Sequence, residues 1–147
     1  MYIKNVQTPL GTMVLKASAK GLCQAYFGEG PQGESSPLLE EAAQQIAQWF
    51  DGQRQDFDLP LDIAGTAFQR AVWKQLRAIP RGQHMSYGQV ARAIGKPGAA
   101  RAVGAACGKN PIILIIPCHR VLAADGSLGG FSAGLDLKKR LLAAEGM

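Results

Sequence analysis

The feature that most restricts the fold is a change of period along the chain. Residues 2–6, 12–17 and 22–27 read as strands, and Thr8-Pro9-Leu10-Gly11 and Ser18-Ala19-Lys20-Gly21 break them as turns. A loop rich in Gly, Pro and Ser covers residues 28–37. Then Leu38, Leu39, Ala42, Ala43, Ile46, Trp49 and Phe50 recur at helical spacing, up to the stop at Asp51-Gly52. This order predicts a small antiparallel sheet followed by a helix. Residues 53–65 are a polar connector with at most a short strand. The lobe boundary is expected there, giving an N-terminal sheet-plus-helix lobe over 1–65 and a second lobe over 66–147. Hydrophobic residues make up 47% of the 147, enough for a real core.

The second lobe reads as mostly helical. Thr66 and Gln69 have capping-box spacing, with Phe68, Val72 and Leu76 as the stripe behind them and Pro80-Arg81-Gly82 as the stop. Ser86 and Gln89 open a short helix that Gly95 closes, and another helix is predicted from about 98 to 107. A short helix, a tight turn and a second helix form a helix-turn-helix pattern. Its second helix is nearly bare: Gly98, Ala99, Ala100, Ala102, Gly104, Ala105 and Ala106 surround Arg101, its one long side chain. Such a helix lacks the polar side chains that read base edges. It is suited either to tight core packing or to close approach to a backbone or groove without sequence preference.

Charge divides along the same boundary. Residues 1–65 carry four basic and eight acidic side chains, net −4, and residues 66–147 carry twelve basic and three acidic, net +9. A basic lobe beside an acidic one fits a surface that faces a polyanion, and equally a plain soluble basic domain. No apolar run nears the ~20 residues that cross a bilayer. The alternating N-terminus lacks the long apolar stretch of a signal peptide, so a cytoplasmic protein without membrane partners is expected.

Ile112-Ile113-Leu114-Ile115-Ile116 is wholly apolar, the mark of a buried segment, and it ends in Pro117-Cys118-His119-Arg120-Val121. The three cysteines, Cys23, Cys107 and Cys118, form no CxxC pair, which argues against a disulfide framework or a structural zinc site. Cys23 reads as buried filler in a strand and His84 as an exposed turn residue. A buried thiol reacts only if a base takes its proton. His119 is adjacent, but neighbouring side chains on extended backbone point apart, so a bridging water is the expected link. Glu145, the one acid after Asp136, ends a helix striped by Leu135, Leu141 and Leu142. A carboxylate opposes the dipole at a helix C-terminus, which hints at a partner such as His119. By themselves these residues also fit an inert core thiol and an ordinary end residue.

The Pro117-Cys118-His119-Arg120-Val121 segment, with Asn110-Pro111 upstream, resembles the signature of the O6-alkylguanine-DNA alkyltransferases. The resemblance extends through Phe68-Gln69-Arg70 to Trp73, Ile79-Pro80-Arg81-Gly82 and Ser86-Tyr87-Gly88-Gln89. It continues through Ala99-Ala100-Arg101-Ala102-Val103-Gly104 and the closing Leu141-Leu142-Ala143-Ala144-Glu145-Gly146, and more loosely through Thr8-Pro9-Leu10-Gly11. It implies an α+β fold, the small antiparallel sheet-plus-helix lobe followed by a winged helix-turn-helix lobe that holds both DNA binding and catalysis. It implies Cys118 as alkyl acceptor, His119 as its water-mediated base, Glu145 as the residue that orients His119, and Asn110 as a hinge between the recognition helix and the active-site strand. Arg101, flanked by Ala100 and Ala102, would enter the duplex through the minor groove and fill the gap left by a flipped nucleotide. Tyr87 would crowd the target phosphate and reach the guanine edge. The carbonyls of Cys118 and Val121 would accept from the guanine amino group, and the Ser132 N–H would meet O6.

Two positions depart from many relatives. Phe131 stands where a Tyr is common, which removes a phenol from the leaving-group side. Cys107 borders the base pocket and is expected to be an inert wall residue. The implied reaction is a single, irreversible transfer of an alkyl group from O6 of guanine, or O4 of thymine, to Cys118, in alkylated duplex DNA, by a monomer without metal or organic cofactor. Three competing classes are an alkyltransferase-like binding protein, a winged-helix regulator and a Cys–His hydrolase. Cys118 speaks against the first, the bare helix against the second, and the apolar surroundings of Cys118 against the third. Its position after the apolar run also predicts packed surroundings for the sulfur.

Overall fold

The computed structural model describes residues 1–131 and 134–146. The chain forms two compact units. The first comprises Met1–Ala64 with Pro111–Ile113, and the second Gly65–Asn110 with the chain from Leu114 onward.

In the first unit, β1 (Tyr2–Thr8), β2 (Gly11–Ala17) and β3 (Leu22–Phe27) form an antiparallel sheet in that order, with Tyr2 opposite Ala17 and Val14 opposite Tyr26. Thr8 closes the first turn, its Oγ1 donating to the Gly11 carbonyl and accepting from the Leu10 N–H. The central strand is buried on both faces, through Met13, Val14 and Leu15. Helix α1 (Pro37–Phe50) begins where the Ser36 hydroxyl accepts from the Leu39 N–H and proline occupies the first turn. It buries Leu39, Ala42, Ile46 and Trp49 at helical spacing. Gly52, at φ +76°, follows its end, as the Asp51-Gly52 stop predicts. Leu61 bridges to Leu22, the short strand pairing anticipated in the connector. The start of the apolar run joins the same sheet: Ala25 N–H donates to the Pro111 carbonyl, and Ile113 N–H to the Ala25 carbonyl. Cys23 is half-buried rather than buried, with its sulfur 3.6 Å from the Gly21 carbonyl.

The second unit opens with α2 (Ala67–Arg77), whose Thr66–Gln69 capping box is complete in both directions. Trp73, rather than Phe68, shares the buried face with Val72 and Leu76, and its Nε1 donates to the Ala106 carbonyl at 2.9 Å. β4 (Met85–Ser86) leads into α3 (Tyr87–Ala93), opened by the Ser86–Gln89 capping box and followed by Gly95 at φ +79°. After a turn through Lys96-Pro97 comes α4 (Ala100–Gly108). β5 (Val121–Leu122) pairs in parallel with β4, and α5 (Leu135–Ala144) closes the unit.

Two details go beyond the sequence expectation. The apolar run is buried, as read, but it turns at Leu114, whose φ of +79° is rare for a branched side chain and costs roughly 1–3 kcal/mol. Leu135 stands half exposed at the start of α5, where the helix has not yet reached the core, while Lys138 is fully buried. Five apolar residues in a row look the same for a strand and for a buried turn, so period alone could not separate them.

Candidate active site

Cys118 lies in a 3-10 turn, Cys118–Arg120, and not on extended backbone. Pro117 lacks an N–H, so the turn is held by Cys118 N–H to the Ile116 carbonyl, Arg120 N–H to the Pro117 carbonyl and Val121 N–H to the Cys118 carbonyl. Side chains of successive residues diverge on such a turn as they do on extended backbone. Asn110 secures the approach to the turn. Its Nδ2 donates to the Ile116 carbonyl at 2.8 Å, closing the loop that contains the strained Leu114, and its side chain also hydrogen-bonds the Cys118 sulfur. Its backbone N–H bonds the Cys107 carbonyl at the end of α4.

The Cys118 side chain forms part of the wall of an open cavity of about 650 Å³. From α3 comes Tyr87, from α4 come Ala100, Arg101, Gly104 and Cys107, and from the loop before α5 come Gly130 and Phe131. Ala102 points away to solvent, and Val121 is buried behind the wall. Ser132 lies outside the described residues. Tyr87 leans against the loop so closely that a Cβ at Gly129 would come within 2.8 Å of its hydroxyl, and Gly129 has φ +66°, so that position requires glycine. The Tyr87 hydroxyl is 3.4 Å from the Gly130 carbonyl.

Both cavity thiols are protonated at neutral pH. Burial pushes Cys118 up to about 11, against the pull of the Asn110 hydrogen bond and the Lys138 charge. Burial and the neighbouring Cys118 push Cys107 up to about 12, and only Lys138 opposes this. Roughly one Cys118 in ten thousand is then a thiolate at pH 7, so a base must act during any nucleophilic step.

His119, the next residue, is the candidate base. It is fully buried, and its Nε2 lies 2.5 Å from Glu145 Oε2. Its Nδ1 has no protein hydrogen-bond partner among the described residues. Burial lowers the His119 pKa, and although Glu145 pulls it back up, the net shift is downward. The neutral imidazole donates from Nε2 to Glu145 and keeps the Nδ1 lone pair as a base. Glu145 caps the C-terminus of α5, and the partner anticipated from its position is three partners. Arg120 Nε donates to both carboxylate oxygens at 2.9 and 3.0 Å, the Gly82 N–H donates at 2.9 Å, and His119 is the third. Burial would raise the Glu145 carboxyl, but these donors and charges outweigh it and leave it below the usual carboxylate range.

Two buried charged side chains beside the site escape the sequence reading. Arg120 is buried, and beyond Glu145 it reaches the Ile79 carbonyl with Nη1 at 2.6 Å. Lys138 donates Nζ to the carbonyls of Val121 (2.6 Å), Leu128 and Gly130 (3.1 Å), and sits 5.9 and 6.0 Å from the Tyr87 and Phe131 ring centres. The Val121 carbonyl, read as an acceptor for a base, thus accepts from Lys138 and keeps a second lone pair. Burial depresses the Lys138 pKa, and the two cysteines counter it. A lysine at three- and four-residue spacing from Leu141 and Leu142, on the apolar face of α5, was the available signal.

The cavity changes the expected consequence of alkylation. Cys118 is almost fully buried, as its place after the apolar run predicts, but it borders the cavity, so a methyl on sulfur has space on that side and overpacking is small. The Asn110–sulfur hydrogen bond is what a thioether weakens, and an unmet buried donor costs about 1–3 kcal/mol. Quantitatively methylated protein should melt several degrees below the parent in the same buffer. An unchanged melting temperature would remove Asn110 as the coupling residue.

The description "6-O-methylguanine DNA methyltransferase, DNA binding domain" matches residues 67–147, and the "ribonuclease-like domain" of the same enzyme matches residues 1–63. The methylated-DNA--protein-cysteine methyltransferase of Mycolicibacterium paratuberculosis is 52% identical, with 97% of this chain and 90% of the relative covered. The chain belongs to the methylated-DNA--protein-cysteine methyltransferase family. The Methanosarcina barkeri member is 42% identical over 99% of this chain and 97% of its own. Mycobacterium tuberculosis OGT, crystallised in complex with DNA, superposes with a TM-score of 0.90 at 40% identity, covering 99% of this chain and 92% of that one. The family read from Pro117-Cys118-His119-Arg120-Val121 and the α+β architecture are both borne out.

Proposed function

We propose that the protein repairs DNA by transferring an alkyl group, methyl above all, from O6 of guanine to the sulfur of Cys118. The observation that carries this reading is a buried thiol on the wall of an apolar cavity, beside a histidine whose Nδ1 is free to take a proton. The residues from 66 onward supply both DNA binding and chemistry. α4 enters the minor groove, where Ala100 and Ala102 let the backbone come close and Arg101 replaces the extruded nucleotide in the stack. Phosphate contacts to the basic lobe hold a single copy on duplex DNA without sequence preference. The protein acts where its DNA substrate lies, in the cytoplasm at the nucleoid.

O6 is inaccessible inside the stack, so the damaged nucleotide rotates into the cavity. His119 Nδ1 takes the Cys118 proton through a water, the thiolate attacks the alkyl carbon, and the carbon–oxygen bond breaks as the carbon–sulfur bond forms. The electron pair leaves with guanine, and the displaced proton compensates it. Tyr87, on the cavity wall, would donate to the departing base, a role the family resemblance also gives to the Ser132 N–H, whereas Phe131 has no hydroxyl to contribute. The thioether offers no easy return, so each molecule acts once. With limiting protein and a duplex containing one O6-methylguanine, repair should stop at one lesion per chain and leave plain guanine. Turnover well beyond one equivalent, or binding with the lesion intact, would overturn the proposal.

A further inference from the structure

We propose that Arg120 is a positioning residue that holds His119 neutral, by sharing the carboxylate of Glu145, so that Nδ1 stays available as the base. This rests on the reading of Cys118 as the alkyl acceptor. A histidine next to a lone buried carboxylate is drawn toward the imidazolium form, in which both ring nitrogens carry protons and neither can act as a base. Glu145 is not a lone carboxylate. Its side chain is fully enclosed, Arg120 Nε bonds both of its oxygens, and the Gly82 N–H takes a further site on Oε1. A negative charge balanced by a guanidinium can accept the Nε2–H without taking hold of a second proton.

Arg120 is itself fixed. Its Nη1 donates to the Ile79 carbonyl, in the same turn that supplies the Gly82 donor. Arg81 Nη2, from that turn, bonds the Ala144 carbonyl at 3.0 Å, one residue before Glu145. The turn after α2 thus holds the carboxylate through Gly82 and the backbone just before it through Arg81. The charged or titratable groups around His119 are Glu145, Arg120, Lys138 and the thiol of Cys118, with Arg81 acting on Glu145 from outside. Arg120 and Lys138 disfavour the imidazolium, and Glu145 favours it.

The test combines two measurements on the full-length protein and its Arg120→Gln and Arg120→Lys variants. Imidazole nitrogen NMR follows the ring through a pH series without substrate, with His84 as the exposed internal reference. Benzyl transfer from free O6-benzylguanine is timed across the same range. In the parent, His119 should be neutral at pH 7 and protonated on Nε2. In Arg120→Gln the imidazolium should persist to higher pH, so that the variant-to-parent rate ratio at about pH 6 falls roughly three- to tenfold below its value at about pH 8. Arg120→Lys, with charge but no fork, should lie between the two. A parent His119 already charged at pH 7 would overturn the proposal, and this needs no variant to fold. So would a rate loss in Arg120→Gln that is the same at every pH with an unchanged His119 titration. A parent that shows the stated titration but transfers no benzyl group at any pH would instead sink the acceptor reading and leave the ring's charge balance intact.

Discussion

Cys118→Ser is expected to abolish alkyl transfer and leave duplex binding little changed. The thiol is already hard to ionise, pushed up to about 11 by burial, and in the proposed mechanism His119 draws its proton away. A serine hydroxyl in the same enclosed position is far less acidic, so the same neutral imidazole has too little driving force. Cys107 offers no replacement. It sits higher, at about 12, and has no hydrogen bond from Asn110 to stabilise its thiolate. Binding rests on other features, the net +9 of residues 66–147 and the exposed Arg101 on α4. The check is transfer of labelled methyl from a duplex, beside a mobility shift on the same DNA. Methyl transfer by the serine variant, or label on Cys107 in the parent, would refute the assignment of Cys118.

Arg101→Ala is expected to slow repair of duplex DNA about ten- to a hundredfold while leaving reaction with free O6-benzylguanine nearly as fast as in the parent. Arg101 lies on the first turn of α4, exposed, at the cavity mouth, among residues too small to fill a gap in a base stack. Holding a nucleotide out of the stack costs a few kcal/mol, and each 1.4 kcal/mol left uncompensated is about a factor of ten. A free base needs no extrusion, so the side chain has nothing to compensate there. Equal losses on both substrates would make Arg101 a structural part of the cavity instead.

How much of this was legible in the chain follows from how local each interaction is. The capping boxes at Thr66 and Ser86 connect residues three apart, and both occur as read. Glycine at 52 and 95 marks helix ends through its own backbone freedom. The change of period separated sheet from helices because side-chain direction repeats every two residues in one and every 3.6 in the other. The cavity's main side chains, Tyr87, Arg101, Cys107, Cys118 and Phe131, were named in advance through the family's motifs, since nothing in spacing brings positions 87, 118 and 131 together. The turn at Leu114 was hidden because an apolar run carries no record of its dihedral angles. Arg120 was visible only as part of a motif. Its partners lie at 79 and 145, and no local pattern predicts a fork that spans such separations. Lys138 ran against the usual expectation that a lysine on a helix faces water, and only its place on the leucine stripe argued otherwise.

The most direct test of alkyl transfer to Cys118 is the mass of the intact protein after reaction with a duplex carrying one O6-methylguanine, followed by peptide mapping. Every chain should gain a single methyl, on the peptide containing Cys118, as the lesion disappears in equal amount. An unchanged mass with the lesion removed, or a methyl found on Cys23 or Cys107, would contradict the account.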